Sequence, residues 1–328
     1  MKALQNIQEA KQKINFLAKE RKPFFALVNF ELSECHIVEE KALQNNVIRF
    51  QFPNFSNFEH CAKPVHTIQF EKKAIDIDEY NKSFQKVHQE LMYGNSFLAN
   101  LTASTPIVLN ASLEEVFNAV AAKYKILFDD QWVCFSPETF IQIDEQGFLT
   151  SCPMKGTIDA ALPDAEKMIL NDKKEIAEHF TIVDLIRNDL SIVAHDVSVK
   201  RFRYIEKIKT EHKTLLQVSS EIRAKLPNDY QSMLGDILFS LLPAGSISGA
   251  PKKKTVEIIL DAETHQRGFY TGVAFWYDGV SLDSCVLIRF IEKTNTGYVY
   301  KSGGGITTQS DMQKEFQELI DKVYVPLF

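Results

Sequence analysis

A lysine stands directly before Gly-Thr in the segment Ser151-Cys152-Pro153-Met154-Lys155-Gly156-Thr157, and Glu138 lies thirteen residues upstream of its Ser151. A deprotonated lysine is a nucleophile, and a protonated one binds anions. A carboxyl group kept protonated by burial can donate that proton to a departing oxygen. Downstream are two pairs of carboxylates at the same spacing, Glu175 with Glu178 and Glu315 with Glu318. Residues three apart share a helix face. The first pair borders the apolar stripe Ile176, Phe180 and Val183, so it need not face bulk water. Four such carboxylates brought together could not all ionise without a cation. A hard divalent ion such as Mg²⁺, which keeps waters and accepts a substrate carboxylate, suits that donor set. The same spacing also describes two solvated helix faces.

Other residues extend the chemistry. The loop Gly245 to Ala250 precedes Pro251, and a glycine-containing turn entering a helix presents free N–H groups to an anion. A tight turn with no ligand fits it as well. The spacing is not that of a Walker loop. Gly303, Gly304 and Gly305 are read as ending a strand and as allowing close approach of a ligand, or as a bulge. Arg289 falls in the β-like run Cys285 to Ile291, where a guanidinium is expected to meet a carboxylate from protein or ligand. Arg187-Asn188-Asp189 reads as the close of a helix, Lys252 to Lys254 mostly as a solvated turn, and His195 and His212 as structural.

Apolar periodicity supplies the elements that must hold these residues. Helices are expected within residues 1–20, with Ile7, Ile14, Phe16 and Leu17 inward, and at Asp78–Tyr93, Leu113–Tyr124, Asp164–Leu190 with a break at Asn171-Asp172, Asp229–Leu241 and Pro251–Ala262. A capping-box pattern at Ser310 to Gln313 opens the last helix, whose buried stripe is Met312, Phe316, Leu319 and Val323. Strands are expected at Phe24–Leu32, Val47–Phe52, Phe97–Thr102, Trp132–Phe135, Thr139–Ile143, Phe148–Cys152, Val197–Ile205, Thr214–Ile222, Phe269–Tyr277, Ser281–Ile291 and Tyr298–Ser302. The aromatic loop Phe52 to Phe58 reads as a lid on the core. Strands in hairpin-like runs with helices inserted between them predict an α+β fold with large antiparallel sheets flanked by helices. With no linker and no repeat, residues 1–328 read as one unit: a short β-rich part over 1–75 and a core over 76–328.

Bulk properties exclude several classes. A net charge of -6 supplies no basic field for nucleic acid. No apolar run approaches the ~20 residues of a membrane helix, and the polar N-terminus does not resemble a secretory signal. Cys35, Cys61, Cys134, Cys152 and Cys285 are odd in number and scattered, which predicts a reducing, cytoplasmic setting.

Taken together the motifs resemble those of the chorismate-utilising enzymes, which include anthranilate synthase component I, aminodeoxychorismate synthase component I, isochorismate synthase and salicylate synthase. The matching pieces are Ser136-Pro137-Glu138, Pro153 to Thr157, Glu175-Ile176-Ala177-Glu178-His179 with Ile182 to Asp189, Gly245 to Lys252, Ile288-Arg289, Gly303 to Ile306, and Glu315-Phe316-Gln317-Glu318 with Lys322. Their order holds from about residue 93 to the end. The resemblance implies chorismate as substrate, Mg²⁺ held directly by Glu178 and Glu318, and Glu175 and Glu315 acting through water. It implies substrate contacts from Gly156, Thr157, Tyr270, Arg289, Gly304, Gly305, Lys322 and the backbone near Ser246, with Glu138 as the acid for the C4 hydroxyl. Lysine before Gly-Thr marks the aminodeoxychorismate synthases, where anthranilate synthases usually carry alanine, so Lys155 is implied as the nucleophile. The activity implied is formation of 4-amino-4-deoxychorismate towards p-aminobenzoate and folate. No cysteine sits in a glutaminase-like arrangement, so a separate glutamine amidotransferase is implied as the source of ammonia. The alternatives are anthranilate synthase, isochorismate synthase, or a chorismate-binding subunit with little catalysis. Two positions depart from the family: Leu216 stands where many members have histidine, and Cys152 where an arginine is frequent. The N-terminal part is also short, so an amino-acid feedback pocket is expected to be incomplete.

Overall fold

A computed structural model describes residue 4 and residues 6–45, 47–59, 67–209 and 214–326. Cys61 and His212 lie outside the described residues, as do parts of the segment 1–20.

Two antiparallel sheets, each of nine strands among the described residues, face one another. The first runs Met154–Asp159, Thr214–Lys225, Phe148–Ser151, Thr139–Ile143, Leu282–Val286, Val273–Tyr277, Phe24–Val28, Cys35–Glu39, with His195–Lys209 also on Thr214–Lys225. The second runs Gly249–Ala250, Leu98–Leu109, Gly297–Ile306, Phe290–Thr294, Trp132–Ser136, Tyr124–Phe128, Ile48–Phe52, Phe55–Ser56, with Phe70–Lys72 on Leu98–Leu109. Alternation along single strands explains the layering. Phe25 and Leu27 point into the layer shared with Phe50, Trp132 and Phe290 of the second sheet. Phe24, Ala26 and Val28 point out against the helices Ile7–Lys19, Lys173–Val193 and Leu234–Leu241. A strand covered on both faces reads as an unbroken apolar run, and Phe24–Val28 is one. The aromatic loop does close this layer: Phe55 stacks on Trp276 at 3.9 Å between ring centroids.

Several expected elements are shifted for identifiable reasons. The helix Leu113–Ala119 stops five residues short of Tyr124, because Tyr124–Phe128 is needed as a strand between Ile48–Phe52 and Trp132–Ser136. Phe16 is exposed, outside the inward stripe of its helix. Asp172 ends one helix and caps the next, accepting from the Glu175 N–H, which is the physical cause of the predicted break. The second helix runs on to Val193, so Arg187 to Asp189 lie inside it. At the last helix the cap is Asp311, accepting from the Lys314 N–H. Gly303 to Gly305 do not end a strand; Gly297–Ile306 continues through them, paired with Asn100, Leu101 and Thr102.

The largest departure bears on function. Ser281–Ile291 is not one strand. Leu282–Val286 belongs to the first sheet and Phe290–Thr294 to the second, and the chain crosses between them with Arg289 at φ +58°. Trp132–Ser136 and Thr139–Ile143 make a second crossing, with Glu138 between them. Backbone hydrogen bonds tie the crossings together, Phe135 N–H to Arg289 O and Val286 N–H to Glu138 O. The seam between the sheets is therefore where two candidate site residues sit.

Candidate active site

A cavity of ≈ 530 Å³ opens at this seam. The residues implied as catalytic, substrate-binding or metal-holding line it: Lys155, Glu138, Gly156, Thr157, Ser246, Tyr270, Arg289, Gly304, Gly305, Lys322, Glu175, Glu178, Glu315 and Glu318. They come from eight separate stretches of chain, and only folding brings them together.

Two helices deliver the carboxylates. Glu175 and Glu178 project from the first turns of Lys173–Val193, Glu315 and Glu318 from Met312–Asp321. The strand Met154–Asp159 passes beneath the first helix. Gly156 is at φ +86°, where a side chain would be strained and its Cβ would lie 3.0 Å from a Glu175 carboxylate oxygen. Gly304 plays the matching part on the other side. A Cβ there would meet Glu315 and Glu318 oxygens at 3.7 Å and Lys322 Nζ at 3.9 Å.

Lysines meet the carboxylates directly. Lys155 Nζ lies 2.6 Å from Glu178 Oε2, with side chains 29% and 7% exposed. Lys322 Nζ lies 2.8 Å from Glu318 Oε1 and donates to Gly303 O. Burial pulls the Lys155 ammonium down, but Glu178, with Glu318 and Glu175 behind it, outweighs burial and holds it above its usual value. In this arrangement Lys155 is a charged ammonium, so the deprotonation that nucleophilic attack demands is not provided by burial alone.

Glu138 behaves differently. Burial raises its carboxyl, while the Ser246 hydrogen bond and the charges of Lys322 and Lys155 act the other way; the net shift is upward. Ser246 Oγ donates to Glu138 Oε1. A carboxyl raised by burial beside a cavity is suited to act as a general acid.

Arg289 does not meet a carboxylate through the hydrogen bond that orients it. Its Nη1 donates to the Lys322 carbonyl at 2.8 Å, and the guanidinium lies 4.6 Å from the Tyr324 ring centroid. The bend at Arg289 thus anchors the end of the carboxylate-bearing C-terminal helix. Lys252 pairs with Asp189 at 2.8 Å, and both side chains are largely buried, which corrects its reading as a solvated lysine. His195 is exposed and lies away from the cavity.

The two departures resolve separately. Leu216 is buried opposite Ile158, and its neighbour Gln217, opposite Thr157, lines the cavity instead. Cys152 is half-buried and is not part of the lining. Gln217, also in the lining, carries no motif, and its only sequence signal is a polar residue inside a strand; Asn100, in the lining too, belongs to the run Tyr93-Gly94 through Asn100-Leu101-Thr102, which resembles the family's strand entry.

The chorismate binding enzymes match residues 5–327. The chain belongs to the chorismate binding enzyme family. It is 46% identical to an uncharacterized PabA-like protein of Haemophilus influenzae over 99% of this chain and 98% of that one. Aminodeoxychorismate synthase component 1 of Bacillus subtilis is 30% identical over 75% of this chain and 54% of that one. Anthranilate synthase component 1 of Acetivibrio thermocellus is 39% identical over 57% of this chain and 38% of that one. Among solved structures, the menaquinone-specific isochorismate synthase from Escherichia coli matches with a TM-score of 0.74 at 15% identity, covering 98% of this chain and 82% of that one, a likeness of fold. The chorismate binding enzyme described here thus has the α+β architecture and antiparallel sheets expected from its sequence. No helix among the described residues is long and apolar enough to cross a membrane.

Proposed function

We propose that this chorismate binding enzyme is an aminodeoxychorismate synthase component I, converting chorismate and ammonia to 4-amino-4-deoxychorismate and water. The observation that carries the reading is Lys155 Nζ inside the cavity, shared with Glu138, whose carboxyl burial raises, and two pairs of carboxylates.

In this reading Lys155 Nζ forms a bond to C2 of chorismate as the ring double bonds shift and the C4–O bond breaks. Glu138 gives its proton to that oxygen, which departs as water. Ammonia then bonds to C4, the double bonds shift back, and the lysine leaves with its electron pair. One ammonia enters and one water leaves. Glu178 and Glu318 would hold Mg²⁺, with Glu175 and Glu315 behind them through water. Among the described residues no group of three or more carboxylate, histidine or cysteine side chains is gathered to hold a metal. Two carboxylates with water and substrate oxygens suit Mg²⁺, which seldom uses an all-protein cage. The fit also rests on charge: four carboxylates line the cavity together with Lys155 and Lys322. When bound, the ion supplies a positive charge for a substrate carboxylate. Glu178, were it shared with such an ion, would hold the Lys155 ammonium less strongly, which would favour the free amine. Gly156, Thr157, Tyr270, Arg289, Gly304, Gly305, Lys322 and the backbone near Ser246 are the proposed substrate contacts.

A separate glutamine amidotransferase is the proposed ammonia donor, so the purified chain is expected to use ammonium salts and not glutamine. The deciding experiment is mass-spectrometric product analysis from chorismate, Mg²⁺ and ammonium. 4-Amino-4-deoxychorismate supports the reading; anthranilate or isochorismate as the product overturns it in favour of a sibling activity.

A further inference from the structure

Arg267 carries no motif, yet among the described residues it is the largest side chain that is almost fully buried, at 1% exposure. Its guanidinium is held by Glu263, Nε to Oε2 at 2.8 Å and Nη2 to Oε1 at 2.7 Å, and it rests over the Phe30 ring. Glu263 is fixed in turn by the Thr102 N–H and hydroxyl, each at 2.8 Å. An arginine placed this way need not reach beyond its partner to satisfy its charge. This one does: Nη1 donates to Ile247 O at 2.8 Å, Nη2 to Asn100 O at 2.6 Å, and Nη1 reaches Thr271 Oγ1 at 3.4 Å.

Each of these acceptors is in the cavity wall or next to it. Ile247 and Asn100 line the cavity, and Thr271 follows Tyr270, which also lines it. Ile247 is adjacent to Ser246, whose hydroxyl donates to Glu138 Oε1. With Oε1 occupied as an acceptor, a proton on Glu138 belongs on Oε2, the oxygen left for the substrate. The other end of the loop is held independently. Lys252 pairs with Asp189 at 2.8 Å and donates to Leu241 O at 2.9 Å. A planar fork is the only side chain that can meet a carboxylate on two edges and two backbone carbonyls with the rest.

We propose that Arg267, oriented by Glu263, is a positioning residue that sets the 245–248 loop so that Ser246 holds Glu138 in its proton-donating orientation. Arg267 touches no substrate in this arrangement; it acts through Ile247 and Ser246. The inference rests on Glu138 being the acid, and the charged groups that face Glu138 across the cavity are Lys155 and Lys322.

The test is a double-mutant cycle of Arg267→Lys and Ser246→Ala in the full chain with chorismate, Mg²⁺ and ammonium. Each single variant is expected to lower kcat by about 10- to 100-fold, the effect of displacing a reacting group, with KM within about two-fold. The double variant should be no slower than Ser246→Ala alone. A second readout does not need turnover: carboxyl ¹³C NMR titration of Glu138, assigned by Glu138→Gln. Loss of the Ser246 donor raises the Glu138 midpoint, so both single variants should shift it upward. Should Arg267→Lys fail to fold, Glu263→Gln, which keeps the shape of the pair but removes its charge, replaces it in the cycle. Additive losses in kcat overturn the proposal. So does an unshifted Glu138 midpoint in a variant whose melting temperature has fallen, because that marks Arg267 as structural only. If the parent makes a different product, or none, the functional reading fails while the titration still decides the positioning.

Discussion

Replacing Lys155 with methionine separates its two roles. The ammonium is 2.6 Å from Glu178 Oε2, and Glu178 is 7% exposed, so the substitution leaves a buried carboxylate without its nearest cation. Removing one partner of a buried pair costs roughly 3–5 kcal/mol. Lys155 is 29% exposed, so water reaches the site and screens part of that loss, leaving about 1–3 kcal/mol. At about 2.1 cal/mol/K of unfolding entropy per residue, a chain of 328 residues would lose about 1.5–4.5 °C in melting temperature. That is small enough to leave the fold in place. The chemical loss is of another order, because no other group in the reading forms the bond to C2; 4-amino-4-deoxychorismate should fall by at least about 10³-fold. The assay is product analysis by liquid chromatography and mass spectrometry, beside thermal unfolding of the same preparation. Incubating the parent with chorismate and Mg²⁺ but no ammonia, then mapping peptides, should locate an adduct on the Lys155 peptide. Amine appearing at C2 in the variant, as an anthranilate-type product, agrees with the reasoning. A Lys155→Met enzyme that makes the 4-amino product within ten-fold of the parent would falsify it.

Glu138→Gln should lower kcat by roughly 10²–10⁴-fold with substrate binding largely kept. Because burial raises the Glu138 carboxyl, parental kcat should decline as pH climbs through its midpoint; a profile without that limb removes Glu138 from the mechanism. Glu318→Ala, or excess chelator with the parent, should abolish turnover, and calorimetric titration of Mg²⁺ into the variant should show weakened binding; full activity in chelator rejects the metal. His179 is fully buried with Nε2 2.7 Å from Ser220 Oγ, and burial, with Arg203 and Lys155, holds it down at about 4 against an ordinary 6.5. Between those values the unfolded chain binds a proton that the folded protein refuses, so stability is lost as pH falls through 6.5 towards 4, by up to about 3 kcal/mol. Urea midpoints at pH 7 and pH 5 should differ by less in His179→Gln than in the parent; equal differences exclude His179 as the cause.

Much of this arrangement is local in origin. Val133, Phe135, Phe25 and Leu27 alternate with partners that face the opposite layer, and such runs specify strands whatever lies across from them. Asp172 before Lys173-Lys174-Glu175 carries its own cap, so the start of the carboxylate-bearing helix is written in four residues. The spacing of Glu175 to Glu178 and of Glu315 to Glu318 fixes each pair on one face, and the order of motifs identifies the family. Other features had no local signal. Cys285 to Ile291 is continuously β-like in side-chain character, and the crossing at Arg289 exists because Leu282–Val286 and Phe290–Thr294 find partners in different sheets. Gly303 to Gly305 remain in a strand because Leu98–Leu109 pairs with their backbone; their own propensity opposes it. The charge on Lys155 depends on a carboxylate 23 positions away in the chain being brought to 2.6 Å. The anchoring of Ile247 and Asn100 by Arg267 joins residues 20 and 167 positions apart. Pattern along the chain determines which elements form and which faces they bury. Which strands pair, and therefore which charges meet and what protonation they impose, depends on contacts between segments distant in sequence, and only the tertiary structure decides it.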